Sequence, residues 1–167
     1  MKTVLSTYLG AAAVAAALLM PAAASSQTAP LEGALKKIAD DGVVVIGHRE
    51  ASIPFSYHDD SKNPVGYSMD LTAAILDRIK AKLGKPDLQI RKLPITSQNR
   101  ISLLQNGTID FECTTTTHNA SREQQVDFSN TFFVIGTRLL ARKSAGIADF
   151  PDLKGQNVVV GAGTTSE

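Results

Sequence analysis

The 167-residue chain has a single cysteine, Cys113, so it cannot close a disulfide within itself. Net charge is nearly absent as well: 17 Lys and Arg stand against 16 Asp and Glu. A chain balanced in this way has no electrostatic reason to bind nucleic acid or an anionic membrane. Internal repeats are missing, and the one low-complexity tract is the alanine-rich stretch near the start. That stretch is too short and too rich in alanine for a membrane span, which needs about 20 apolar residues.

What the first residues do contain is an address. Lys2 supplies a positive start, residues 8–20 are uncharged and mostly apolar, and Pro21-Ala22-Ala23-Ala24 ends in small residues that a signal peptidase accepts. These features predict a signal peptide over residues 1–24, cleaved after Ala24, and export into an oxidising compartment. A membrane anchor is the competing interpretation, and the proline that follows the short run opposes it. No lipobox-like cysteine precedes the expected mature start, which argues against a lipid anchor. Residues 25–33 are small, polar and proline-containing, and predict a disordered leader.

Beyond the leader, hydrophobic spacing predicts helix at 31–40, strand at 43–49, helix at 68–83, strand at 88–93, helix at 97–105 and strand at 109–113. A short helix at 121–125, a long strand at 132–142 and a valine-rich strand at 157–161 follow. In the longest helix Leu71, Ala74, Ile75, the stem of Arg78 and Ile79 recur at helical spacing and predict the buried face, and Gly84 and Pro86 stop it. Strand-helix-strand-helix-strand order implies an α/β fold with a parallel sheet covered by helices. Thr164, Thr165 and Ser166 are N-cap candidates for a helix expected to open there. One strand and a cap cannot bury a core, so the sequence is expected to continue beyond Glu167.

The stretch from Ile95 to Arg142 carries the densest chemistry. Ile109 to Cys113 alternates apolar and polar residues and runs directly into four threonines, Thr114 to Thr117. A strand that ends in hydroxyls presents donors and acceptors beyond its carboxyl end, where open α/β sheets bind ligands. Arg122 follows at the start of a short helix, and a guanidinium there can grip a carboxylate in a bidentate fashion. Arg49, after the first strand, and Arg100, after Ser97, add two more cations at loop-side ends. Threonine is also a common strand residue and arginine a common helix-surface residue, so it is the combination that points to a cleft for a small anion.

The segments Gly47-His48-Arg49-Glu50, Pro54-Phe55-Ser56-Tyr57, Gly66-Tyr67-Ser68-Met69-Asp70, Ile95 to Arg100, Leu103 to Gly107, Phe111-Glu112-Cys113, Gly136 to Leu140 and Gly163 to Glu167 together resemble a known family. It is the family of bacterial extracellular solute-binding proteins that serve ABC importers for polar amino acids, and in particular its acidic-amino-acid branch. The resemblance runs from about Leu35 to Glu167; Ser68 departs from it, since the wider pattern prefers a carboxylate there.

The resemblance implies a periplasmic-binding-protein-like two-lobe fold of type II, with residues 34–142 forming most of lobe one and 143–167 the hinge and the start of lobe two. It further implies a monomer in the periplasm that takes L-glutamate or L-aspartate to a membrane permease driven by an ATPase, without a cofactor. Arg122 would grip the α-carboxylate, Arg49, Ser97 and Arg100 would serve the side-chain carboxylate, and Thr115 and Thr117 would bond the α-carboxylate and ammonium. Thr165 would add a contact from the second lobe. For Cys113 two interpretations stand: a buried small hydrophobe, or a half-cystine whose partner the resemblance implies beyond Glu167.

Other chemistry is weaker. His48, Glu50, His58, Asp59 and Asp60 include metal-ligand residue types, but Arg49 opposes a cation between the first two, and His58-Asp59-Asp60 has the composition of a turn. Cys113 with His118 suggests a nucleophile and base, yet Glu112 beside the thiol disfavours a thiolate. Asn106-Gly107-Thr108 and Asn119-Ala120-Ser121 match glycosylation acceptors, but no glycan is expected in a bacterial family. An enzyme on the same scaffold, a dehydratase or lytic transglycosylase, would need a positioned acid or base in the cleft, and Glu50 is the only carboxylate close to the expected cations. A receptor sensor domain is the third alternative.

Overall fold

In the computed structural model, residues 30–167 are described. The expected signal peptide and most of the expected leader lie outside them. The helix α1, Gly33–Asp41, starts within the expected leader and stops at Gly42, whose left-handed backbone lets its N–H reach the Ile38 carbonyl. It leads into β1, Val43–His48, the central strand of a parallel sheet.

Three very short strands come next: β2, Ala51–Ser52, β3, Ser56–His58, and β4, Pro64–Val65. They pair antiparallel in a small separate sheet ordered β2-β3-β4 that the sequence pattern did not announce. The turn expected at Asp59 is present, with the Asp59 carboxylate accepting from the Asn63 N–H at 2.8 Å. Gly66 then opens the long helix α2, Tyr67–Leu83, at φ 116°. A Cβ at Gly66 would lie 2.6 Å from the Pro54 carbonyl oxygen, so only glycine allows this approach.

The helix α2 leads through Gly84 to β5, Gln89–Pro94, which pairs with one edge of β1 from Val43–Gln89 to His48–Pro94. After α3, Arg100–Gln105, the strand β6, Phe111–Glu112, pairs with the other edge at Ile46 and Gly47. The sheet order is therefore β5-β1-β6, all parallel, as the element order implied. The core cluster of Ile38, Val44, Ile46, Met69, Leu76 and Leu88 joins α1, β1 and α2, with Ile79, Leu83 and Phe111 packed at its margin. Each aliphatic side chain fully buried in this way contributes about 1.5–3 kcal/mol.

Three expectations are corrected. The inward face of α2 is Ser68, Met69, Thr72 and Leu76, while Ala74, Ile75 and Arg78 are exposed. Two hydroxyl residues sit on the buried face because they are small; the Thr72 hydroxyl is satisfied by donating to the Ser68 carbonyl at 2.8 Å. Residues 132–142 and 157–161 form no strand: no ladder pairs with them, and Val134, Ile135, Leu140 and Val159 are largely exposed. Apolar β-branched composition favours a strand only where another strand supplies hydrogen bonds, and none pairs with these segments among the described residues. Nor does a helix open at Thr164; residues 162–166 turn, and the four residues from Thr164 to Glu167 are too few to nucleate one. The helix expected at 121–125 is present as α4, Ala120–Glu123, with Asn119 accepting from the Arg122 N–H at 2.9 Å.

Candidate functional site

The carboxyl ends of β1 and β6 and the N-terminal ends of α3 and α4 carry the candidate residues. Arg49 follows β1 directly and is half-buried. Its Nη1 donates to the Ser97 hydroxyl at 2.7 Å. Ser97 is held in place by the loop around it: the Ile95 N–H donates to the His48 carbonyl at 2.8 Å, and Thr96 and Asn99 exchange backbone-to-side-chain hydrogen bonds at 2.8 and 3.2 Å.

One turn further along, Arg100 is 2% exposed, and its Nε and Nη1 have no partner among the described residues. Burial pushes its guanidinium below the ordinary value; the Glu112 carboxylate opposes that, and Arg122 and Arg49 add to it by repulsion. Three guanidinium groups from separate elements therefore share one electrostatic neighbourhood. A buried, charged, unpartnered group of this kind is costly unless something anionic completes it.

Arg122 lies across the threonine run. Its Nη1 donates to the Thr117 carbonyl at 2.9 Å and its Nη2 to the Gly163 carbonyl at 3.1 Å. Gly163 is at φ 73°, and a Cβ there would meet the Ser97 carbonyl carbon and oxygen at 2.8 Å. The 163–165 turn thus sits against both Ser97 and Arg122, a closeness with no local signal in the sequence beyond the glycine itself. Thr115, Thr117 and Thr165 line an open cavity of about 530 Å³ together with Phe55, Phe133 and Arg138. Arg49, Ser97, Arg100 and Arg122 are not among its lining residues, so the hydroxyls and the guanidinium groups are linked through the Arg122 bonds, not through one common wall.

Cys113 is buried and unpaired among the described residues, a position that both interpretations share. Burial pushes its thiol above the ordinary value; the neighbouring Thr72 and Ser68 side chains oppose this, and the Glu112 carboxylate adds to it. His118, the suggested base, instead stacks on Phe128 with ring centroids 4.6 Å apart and faces Glu123 at 3.5 Å.

Residues 44–161 match the family of bacterial extracellular solute-binding proteins, family 3. The chain belongs to this family. Among curated relatives, it is 61% identical over 140 residues to the glutamate/aspartate import solute-binding protein of Salmonella typhimurium, covering 83% of this chain and 46% of the relative. It is 55% identical over 157 residues to the protein of the same description in Escherichia coli, covering 93% and 52%. With the L-glutamate/L-aspartate-binding protein of Pseudomonas aeruginosa the identity is 51% over 162 residues, covering 96% and 52%. The chain thus spans about half the length of the curated relatives it matches.

Among solved structures, the crystal structure of the solute receptors for L-cysteine of Neisseria gonorrhoeae superposes with a TM-score of 0.68 at 26% identity, covering 79% of this chain and 52% of that one. An ancestral amino-acid-binding protein, described as a precursor of cyclohexadienyl dehydratase, gives 0.61 at 27% identity, covering 72% and 51%. These neighbours are type II periplasmic binding proteins, which is the fold class the resemblance implied.

Proposed function

We propose that this chain forms the first part of the substrate-binding component of an ABC-type amino acid importer, and that it captures L-glutamate or L-aspartate in the periplasm for delivery to a membrane permease powered by ATPase subunits. The observation that carries the proposal is Arg100: buried, charged, without a hydrogen-bond partner on Nε and Nη1, and flanked by Arg49 and Arg122. A ligand with two carboxylates resolves that arrangement, and a neutral amino acid does not. The names of the relatives from Salmonella typhimurium, Escherichia coli and Pseudomonas aeruginosa support the same ligand class.

In this proposal Arg122 takes the α-carboxylate, Thr115 and Thr117 bond the α-carboxylate and ammonium, and Arg49, Ser97 and Arg100 take the side-chain carboxylate. Residues 34–142 form most of lobe one. Residues 143–167 form the hinge and the start of lobe two, from which Thr165 reaches the ligand. The protein works as a monomer, exported by the signal at residues 1–24, with no cofactor and no nucleic-acid partner.

It performs no chemistry. A dehydratase or lyase on this scaffold needs a free acid or base. The carboxylate whose charge reaches Arg100 is that of Glu112, and it is engaged by the hydroxyls of Thr114 and Thr116.

Calorimetric titration of the full chain as its gene encodes it, with glutamate, aspartate and glutamine, tests the proposal when an Arg100→Ala variant is run beside it. Binding of the two acidic ligands that the variant weakens at least a hundredfold is the expected result. Silence toward all three amino acids would sink it.

A further inference from the structure

Four consecutive threonines are chemically degenerate. Any of them can face the ligand, and the sequence alone does not say which. Backbone pairing does not decide the matter, because β6 ends at Glu112 and residues 114–117 belong to no ladder. Something else must set which hydroxyls turn inward.

Both oxygens of the Glu112 carboxylate are used for this. One accepts from the Thr114 hydroxyl at 2.7 Å and the other from the Thr116 hydroxyl. Exposure follows the same alternation: Thr114 is buried and Thr116 half-buried, while Thr115 and Thr117 are exposed. The chain bends at Thr114 and Thr115, and the bend brings the Thr114 and Thr116 hydroxyls onto the Glu112 carboxylate while Thr115 and Thr117 are left exposed. Hydrogen bonds to an ionised carboxylate are about twice as strong as neutral ones, so a single half-buried glutamate suffices to hold this arrangement.

We propose that Glu112 is a positioning residue of the ligand site: its carboxylate clamps the Thr114 and Thr116 hydroxyls and thereby presents Thr115 and Thr117 to the ligand. The inference rests on the assignment of Thr115 and Thr117 as ligand contacts made above. Glu112 itself does not touch the ligand. A residue two positions before the run thus decides which of its hydroxyls are engaged and which stay free for the ligand.

A double-mutant cycle on the full chain tests this, with glutamate affinity measured by calorimetry and folding followed by thermal denaturation. Glu112→Gln and Thr117→Val are each expected to lower the affinity about tenfold, the equivalent of one hydrogen bond to a charged group. Because Glu112 acts through the threonine run, the double variant should bind within about threefold of the weaker single variant, while the losses in melting temperature add. Thr116→Val should reproduce the loss and Thr116→Ser, which keeps the hydroxyl, should restore most of the affinity; this pair stands as the test if Glu112→Gln fails to fold. Affinity losses that multiply in the double variant, or parental affinity in Glu112→Gln, would overturn the inference and leave the glutamate-binding assignment intact. Parental affinity in Thr117→Val would remove the contact on which the inference stands and so overturn both.

Discussion

Arg49 donates from Nη1 to the hydroxyl oxygen of Ser97 at 2.7 Å, joining the end of β1 to the loop that enters α3. The two residues are 48 positions apart, and the bond fixes the direction of a guanidinium that would otherwise sample solvent. Ser97→Ala should therefore weaken acidic ligands by about three- to tenfold while changing stability by less than about 1 kcal/mol, since the partner is only half-buried. Calorimetry with glutamate together with urea denaturation separates the two effects. A loss of stability without a loss of affinity would make the bond purely architectural.

Arg100 leads to the opposite pattern. Its side chain is buried with two nitrogens unpartnered, so the ligand-free protein carries at that point a charge that no hydrogen bond on those atoms offsets. Replacing such a charge with an apolar side chain of similar volume is often neutral or stabilising by about 1–4 kcal/mol. Arg100→Met should accordingly melt at or above the parental temperature without ligand, yet show no ligand-induced rise with glutamate. A variant that melted well below the parent would mean that Arg100 holds the fold together.

How far these features were legible from sequence depends on the range of the interactions involved. Local signals located β1, α2 and β5 to within one or two residues, because capping, helix-stopping glycine and alternation act over a few positions. The face of α2 was misjudged because counting apolar residues favoured Ile75, whereas close packing favoured small Ser68 and Thr72, which bring the helix near the sheet. The hairpin strands β2 to β4 escaped notice because each is two or three residues long and is defined by its partners, not by its own composition. For residues 132–142 the composition favoured a strand that has no pairing partner among the described residues. The candidate site residues were chosen by type and position. The Arg49–Ser97 bond, the approach of Gly163 to Ser97 and the clamp on Glu112 are tertiary or conformation-dependent facts, and nothing in the local sequence encodes them.

His48 should make stability depend on mildly acidic pH. It is 4% exposed, its Nδ1 lies 3.3 Å from the Arg49 carbonyl oxygen, and the His58 ring is centred 5.4 Å away. Burial holds its pKa below the ordinary 6.5; the Arg49 carbonyl opposes this, His58 and Lys92 add repulsion and Glu50 adds attraction. Between the depressed folded value and 6.5 the unfolded chain binds a proton that the folded chain does not. Stability is then full above pH 6.5 and falls as the pH drops through that window to the folded value. Urea midpoints at pH 7.5, 6.5 and 5.5 should decline in that order for the parent and decline less for His48→Gln. Equal slopes in the two proteins would assign the acid sensitivity elsewhere.

The Lys37–Asp110 pair ties α1 to the approach of β6. Asp110 has a side chain 1% exposed; one oxygen accepts from Lys37 Nζ at 2.7 Å and the other from the Val45 N–H at 2.7 Å. The Asp110 N–H in turn donates to the Val45 carbonyl at 2.8 Å, so the residue is bonded to the middle of β1 from both its backbone and its side chain. Removing the carboxylate leaves the Val45 N–H without its acceptor, whereas Lys37, 41% exposed, can turn to water. The asymmetry orders the variants. Asp110→Ala should cost about 2–4 kcal/mol, Asp110→Asn less because its amide oxygen still accepts from Val45, and Lys37→Met an intermediate amount because it strands a buried carboxylate. Urea denaturation of the three variants gives the ranking directly. Should Lys37→Met prove the most damaging, the ion pair, and not the bond to β1, would be what keeps Asp110 in place.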